Sequence, residues 1–443
     1  MRIGCGAGFA GDRIEPAVDL AERGRLDVLA LECLAERTIA DAQTRRLADP
    51  AAGFDPMLLR RLRPLLPRLS RHGTRLVTNA GAANPAAAGR AVRDLAGELG
   101  SPADVAVVTG DDVLGVLDLS APAWEDGRPL EAHGEVVSAN AYLGADALLP
   151  ALGGRASVVI AGRVADPSLF LAPLAHAYGW DPRDWDTIAA GSVVGHLLEC
   201  AGQVTGGYFA DPPAKTVDGL ADLGFPLAEV AADGSAVITK LPGTGGRVDH
   251  ATVSEQLTYE LGDPAAYLTP DATVDFTGVT LRDLGGDRVA VAGARGRPRP
   301  EELKVSVGYR AGVRGEGEIS SAGPGAVARA RLAGQVVRER LASLLPGARA
   351  DVIGVDALNG PAGADRPEPY ECRLRVAALA PDRAAADAVG EEVVALYTNG
   401  PAGGAGARAR TDEVLGVLST TVPRDAVTVR TTLLGAHDAG TAA

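Results

Sequence analysis

Carboxylates, amides and one arginine recur just behind the short apolar runs of the first two hundred residues. Glu32 closes LDVLALE, Thr78 and Asn79 follow RLV with Asn84 a turn later, Asp111 and Asp112 follow AVVTG, and Arg163 and Asp166 follow SVVIAG. If the apolar runs are strands of a parallel sheet, all of these side chains reach its carboxyl edge, where such sheets bind ligands. Converging there, Glu32, Asp111 or Asp112 would serve as general acid or base, and Asn79 or Asn84 would polarise a carbonyl. Arg163 would clamp a carboxylate, and a divalent metal among Glu32, Asp111, Asp112 and Asp166 is compatible with the same set. Each residue alone also has a structural reading, since Asn84 before Pro85 and Asp166 before Pro167 stand where a helix N-cap belongs.

His196 and Cys200 are four apart in a helix-like stretch and share a face, with Glu199 beside it. They could be a thiol nucleophile with its imidazole base, half of a metal site, or a buried thiol near a structural imidazole.

Two glycine runs could meet anions. Gly6, Gly8 and Gly11 fit G-x-G-x-x-G, Arg13 follows, and Glu32 lies 21 residues beyond Gly11. That is the layout of a dinucleotide fold, although a chain with 56 glycines produces such spacings cheaply and Asp12 would repel phosphate unless it caps the turn. The second run, Lys240 to Arg247 with Gly243, Gly245 and Gly246, could cradle the phosphates of coenzyme A between two cations, or be a plain turn. It lacks the lysine and hydroxyl pattern of a P-loop. The glycines from Gly315 to Gly325 precede another helix-like stretch and could likewise present amides to an anion.

The elements that must position these groups alternate. Helix-like patterns at 14–23, 56–72, 85–99, 139–152, 167–178 and 192–203 separate strand-like runs at 1–4, 26–32, 74–78, 104–109 and 157–161. Apolar strands between helices imply a parallel sheet covered on both faces. From about residue 204 glycine-rich turns separate short strands, and helices are expected at 254–261 and 326–345. After Pro346 a smaller unit has strands at 351–355, 373–378 and 426–432 and a helix at 383–397. The expected organisation is a parallel α/β domain over 1–203, an α+β domain over 204–345 and a small α+β unit over 346–443.

Composition narrows the classes. The 443 residues carry 43 basic and 57 acidic side chains, a net charge of −14, which argues against a broad nucleic-acid surface. Only Lys215, Lys240 and Lys304 are lysines, which leaves few candidates for Schiff-base chemistry. The four cysteines are scattered, with neither zinc-finger nor disulfide spacing, as suits a reducing compartment. No long uncharged apolar run and no signal-peptide layout is present, so the expectation is a cytoplasmic protein that binds a small-molecule substrate, engages no membrane and forms a homo-oligomer.

The strings GCGAGFAGDRIEPAVDLAERG, ECLAERTIA, TNAGAANP, VTGDDVL, SANAYLGA, AGRVADPSLFLAPL, GHLLECAGQVTGGYFADP, ITKLPGTGGRV and LKVSVGYR occur in this order between residue 2 and about residue 345. Together they resemble the acyclic terpene utilisation family, the AtuA-like proteins, and the remaining tail resembles the ferredoxin-like unit at the C-terminus of some relatives. The resemblance implies a part in breaking down acyclic terpenes such as citronellol and geraniol through branched acyl-CoA thioesters that are carboxylated, hydrated and cleaved. It brings no established catalytic motif, so the site residues rest on the strand-end argument. The leading expectation is lyase, hydratase or hydrolase chemistry on a carboxylated or hydroxylated branched acyl-CoA. A non-catalytic subunit of an acyl-CoA complex and an NAD-dependent oxidoreductase are the alternatives.

Overall fold

A computed structural model of the chain describes residues 1–360 and 367–436. Its first part runs β1 (Arg2–Ala7), α1 (Glu15–Arg23), β2 (Val28–Leu31), α2 (Glu36–Ala48), α3 (Leu58–His72), β3 (Arg75–Thr78), α4 (Pro85–Glu98), β4 (Val105–Thr109), β5 (Glu135–Ala141), α5 (Leu149–Leu152), β6 (Val158–Ala161), α6 (Ser168–Tyr178) and α7 (Trp185–Glu199). Strands β1, β2, β3, β6 and β4 lie side by side in that order, all parallel. Every residue of β2 and β6 is buried, the continuous apolar texture that a doubly covered parallel strand requires.

Two segments depart from expectation. The helix α2 has little apolar periodicity; it starts because Ala35 is extended and the hydroxyl of Thr38 accepts the Ala35 amide at 2.8 Å. The expected helix at 139–152 is instead the end of β5, followed by short turns, because β5 pairs with a later strand and that pairing outweighs alanine's helix preference.

The next elements are β7 (Pro226–Val230), β8 (Ala236–Lys240), α8 (His250–Leu257), β9 (Tyr267–Leu268), β10 (Thr273–Asp275), β11 (Thr280–Asp283), β12 (Arg288–Ala292), β13 (Arg295–Arg297) and β14 (Glu302–Ala322). The strands before β14 divide between the first sheet and a small one of their own. Strands β7, β8, β12 and β11 continue the parallel sheet beyond β1 with antiparallel pairings, while β9, β10 and β13 form a three-stranded sheet. The rest is α9 (Ala326–Leu341), β15 (Arg349–Ile353), β16 (Glu371–Ala380), α10 (Arg383–Asn399), β17 (Ala405–Pro423) and β18 (Arg430–Leu434), the last closing the large sheet antiparallel to β4. That sheet is therefore mixed, with ten strands.

The chain groups into two compact units. One comprises residues 1–132, 136–308 and 417–443, the other residues 133–135 and 309–416. The expected break at 203/204 falls inside the first unit, because β7, β8, β12 and β11 join the first sheet, and the expected break at 345/346 falls inside the second, between α9 and β15. Residues 361–366 and 437–443 of the expected C-terminal unit lie outside the described residues.

In the second unit the order β14–α9–β15–β16–α10–β17, with strands arranged β15-β16-β14-β17, is the ferredoxin-like split βαβ pattern. Val337, Val376, Val389 and Val393 lie in its core. Gly315 and Gly317 sit inside β14, not at a helix entrance. A Cβ at either would overlap Ala386 or Val393 of α10, so these glycines admit a helix rather than an anion.

Candidate active site

Within the first unit the carboxyl ends of β1 and β2, the loop after β6 and the end of α7 surround a cleft of about 800 Å³. Its lining combines carboxylates, Asp12, Glu32, Glu36, Asp166, Glu199 and Glu260, with apolar and aromatic side chains, Phe9, Tyr208, Leu220, Leu223, Phe225 and Tyr259. Phe9 and Tyr208 stand exposed, so the apolar lining reaches the surface. Strand ends deliver Glu32 and Asp166 here as the sequence implies, and Gly8, Arg13 and Cys200 also line the cleft.

Glu32 is held from behind. Its Oε1 accepts the side-chain amide of Asn79 at 2.9 Å and the backbone amide of Leu34 at 2.7 Å, while Asn79 Oδ1 accepts the Cys33 amide. Burial, and next the charge of Asp166, hold Glu32 well above the usual carboxylate range. Arg163 lies beneath, buried, donating to Leu34 O at 2.6 Å and to Asp166 at 2.9 Å, with its guanidinium over the Tyr142 ring. It is absent from the cleft lining, and its hydrogen bonds orient Asp166 and the Leu34 turn.

On α7, Glu199 and His196 are three apart, and His196 Nδ1 meets Glu199 Oε1 at 3.0 Å. Burial pushes Glu199 up to about 7, with the imidazole opposing. Burial alone would lower His196, yet the hydrogen bond and charge of Glu199 raise it. A carboxyl raised to about 7 that lines a cleft and is hydrogen-bonded to an imidazole behind it suits acid–base work. The remaining oxygen, Glu199 Oε2, is buried without a partner. Cys200 does not complete a nucleophilic pair: its neighbour on the imidazole is Glu199, and burial, then the charge of Glu199, push the thiol upward.

A third cluster escaped the sequence. Tyr142, just beyond β5, donates to Glu36 at 2.5 Å, and Lys304 on β14 lies 3.2 Å from the same oxygen. Burial acts to raise Glu36, but the Tyr142 hydroxyl and the nearby cations outweigh it and bring the carboxyl down to about 2. Glu36 is thus a fixed anion beside Glu32 and Asp166. Glu260 and Tyr259, from beyond α8, were equally without signal.

Several expected residues lie elsewhere. Asn84 caps α4 through the Ala87 amide and donates to Pro50 O and Ala52 O. Asp112 is at the surface near Arg46, 3.8 Å away. Asp111 is buried behind the site, accepting from Asn140 at 2.9 Å and the Arg163 amide at 2.8 Å, and it packs so close to Gly162 that any Cβ there would overlap it. Among the described residues no group of three or more His, Cys, Asp or Glu could hold a metal ion.

In both glycine runs, described amides and cations are engaged by the chain itself. The Gly8 amide donates to Asp12 at 2.9 Å, and a Cβ at Gly8 would lie 2.5 Å from the Cys200 carbonyl carbon, so the close approach is made by α7's end. Gly6 makes room for Leu31 and Ala17, and Gly11 for Phe9. In the second run, Lys240 pairs with Asp287 at 3.1 Å and Arg247 with Asp249 at 2.6 Å. The amides of Gly245 and Gly246 donate to Asp222 O and Asp218 O, and Gly243 turns with φ +80°. The run closes a backbone seam, and its cations are not among those lining the cleft.

The buried carboxyls make stability depend on pH. Burial raises Asp111 from its ordinary value of 3.8 to about 6. A raised carboxyl stabilises the fold fully below its unfolded pKa, and that contribution is lost as pH rises through the folded value. Asp271, raised by burial to about 6, acts in the same direction. We expect resistance to urea to be greater near pH 5 than near pH 7.5, with Asp111 supplying about 1 kcal/mol of the difference. Urea titrations at both pH values check this, and Asp111→Asn should shrink the difference; an unchanged difference in that variant would remove Asp111 as its source.

No helix among the described residues is long and apolar enough to cross a membrane. No curated protein and no solved structure matches the chain. The family model "Acyclic terpene utilisation family protein AtuA" matches residues 1–433. That span takes in the whole acidic and apolar cleft together with the ferredoxin-like unit, and the chain belongs to the acyclic terpene utilisation family, AtuA.

Proposed function

We propose that this chain is a cytoplasmic enzyme of acyclic terpene utilisation that moves a proton on a branched acyl group, carried as a CoA thioester, in a hydratase or carbon–carbon lyase reaction. The observation that carries the reading is the Glu199–His196 pair, with a carboxyl raised to about 7 in a cleft that apolar and aromatic side chains also line. Glu199 gives a proton to, or takes one from, the substrate oxygen, and His196 Nδ1 holds the carboxyl in place. Glu32 accepts both of its hydrogen bonds on Oε1, which leaves Oε2 to carry the proton and donate to a carbonyl oxygen. Arg13 and Arg37 are the cleft's cations, in place of Lys240 and Arg247, for the phosphates of the carrier. The raised thiol of Cys200 speaks for proton transfer over hydrolysis through a thioester-linked enzyme.

The test is solvent exchange. Branched unsaturated and hydroxylated acyl-CoA thioesters incubated with the protein in heavy water should gain deuterium or convert, read by mass spectrometry. Cys200→Ser should keep the rate within about twofold, since the thiol has no covalent role. No exchange and no conversion with any branched thioester would sink the reading, and loss of all turnover in Cys200→Ser would restore hydrolysis.

A further inference from the structure

Resting on the placement of substrate in this cleft, we infer that its carboxylate-lined part accepts an uncharged oxygen function, a hydroxyl or carbonyl, and rejects a free carboxylate, with Glu36 as the residue that sets this specificity. Glu32, Asp166, Glu199 and Glu36 all line the cleft, whereas the cations that line it are Arg13 and Arg37. Arg13 is engaged with Ala221 O at 2.8 Å and Glu15 at 3.6 Å. Arg163, the cation nearest Glu32 and Asp166, faces the protein.

An unpartnered acceptor shows what the lining lacks. Glu199 is 9 % exposed and lines the cleft, its Oε1 is paired with His196, and its Oε2 has no partner. A buried acceptor without a donor asks for a hydroxyl or a water, not another anion. Burial pushes the carboxyls of Glu32 and Asp166 toward the protonated form, with the charge of Arg163 opposing it at both.

Glu36 differs from them. Tyr142 and Lys304 grip it from outside the cleft, and Ser306 stands 3.3 Å from the Tyr142 hydroxyl. Those two partners hold it as an anion with its side chain 40 % exposed, and an anionic ligand head beside it meets a like charge that water only partly screens. The same anion leaves a hydroxyl unaffected. Carboxylated intermediates would therefore enter this cleft poorly at the acidic lining, and decarboxylated, hydroxylated or carbonyl forms would enter well.

Equilibrium binding by calorimetry, with three probes of one carbon skeleton, tests this: citronellol, citronellate and citronellylamine. The alcohol should bind at least about tenfold more tightly than the carboxylate, about 1.4 kcal/mol. In Glu36→Gln the carboxylate should gain about tenfold while the alcohol changes by less than about twofold. Lys304→Met, which strips a compensating cation from Glu36, should move the carboxylate the other way, so the inference stays testable if Glu36→Gln fails to fold. Equal or tighter carboxylate binding, tighter amine than alcohol binding, or no binding of the alcohol would each overturn it. The two readings fail separately: a carboxylate that binds well while thioesters still exchange deuterium overturns only the specificity, and an alcohol that binds while no thioester exchanges overturns only the reaction.

Discussion

Glu199→Gln should lower turnover of a branched acyl thioester by about 10²–10⁴-fold while the protein remains folded, the range expected when a positioned acid–base group is removed. Glutamine keeps the acceptor that His196 Nδ1 meets at 3.0 Å, so the packing of α7 against its surroundings is preserved. What disappears is the proton. The wild-type rate should depend on a group titrating near 7, the value to which burial raises Glu199. In the variant that limb should vanish, and His196, deprived of the carboxylate that raises it, should titrate lower and stay neutral. Rate–pH profiles of the two proteins, beside their urea midpoints, decide the matter. A structural role alone would move the midpoint and leave the shape of the profile unchanged, and a rate within about threefold of wild type would remove Glu199 from the chemistry.

The strand-end logic located this site from sequence because the parallel strands are buried on both faces and read as unbroken apolar runs. Whatever follows such a run must surface at one edge, and Glu32 and Asp166 do. Glu199 was visible as well, three residues from His196 on one helix. Sequence could not show that Glu36, Tyr142 and Lys304 meet, since they are brought together by the pairing of β5 with β14, a contact between distant segments with no local signature. The glycine runs misled for a related reason. Glycine permits the close approach of anything, and at Gly8, Gly245 and Gly315 the approaching group is the chain's own backbone. A motif of glycines states that something comes near, not what. The same ambiguity attends Asn84 and Asp112, polar residues at strand ends that cap a helix or face water instead of the cleft.

Replacing Arg163 is expected to have the largest effect on stability. Arg163→Leu should cost about 3 kcal/mol, the low end for breaking a buried ion pair, because Arg163 is buried while the Asp166 carboxylate is 32 % exposed. The side chain is 2 % exposed, and its loss strips a donor from Leu34 O, the partner from Asp166 and the cation from the face of Tyr142. Much of the cost should belong to Asp166, whose carboxyl is already raised by burial against the pull of Arg163 and would rise further without it. A double-mutant cycle separates the two contributions. Asp166→Asn in the Arg163→Leu background should restore part of the lost urea resistance, whereas in the wild-type background it should destabilise, because it then leaves the guanidinium unpaired. If Arg163→Leu loses less than about 1 kcal/mol, or if the second substitution adds its full cost, Arg163 is not the counter-charge around which the acidic lining is assembled.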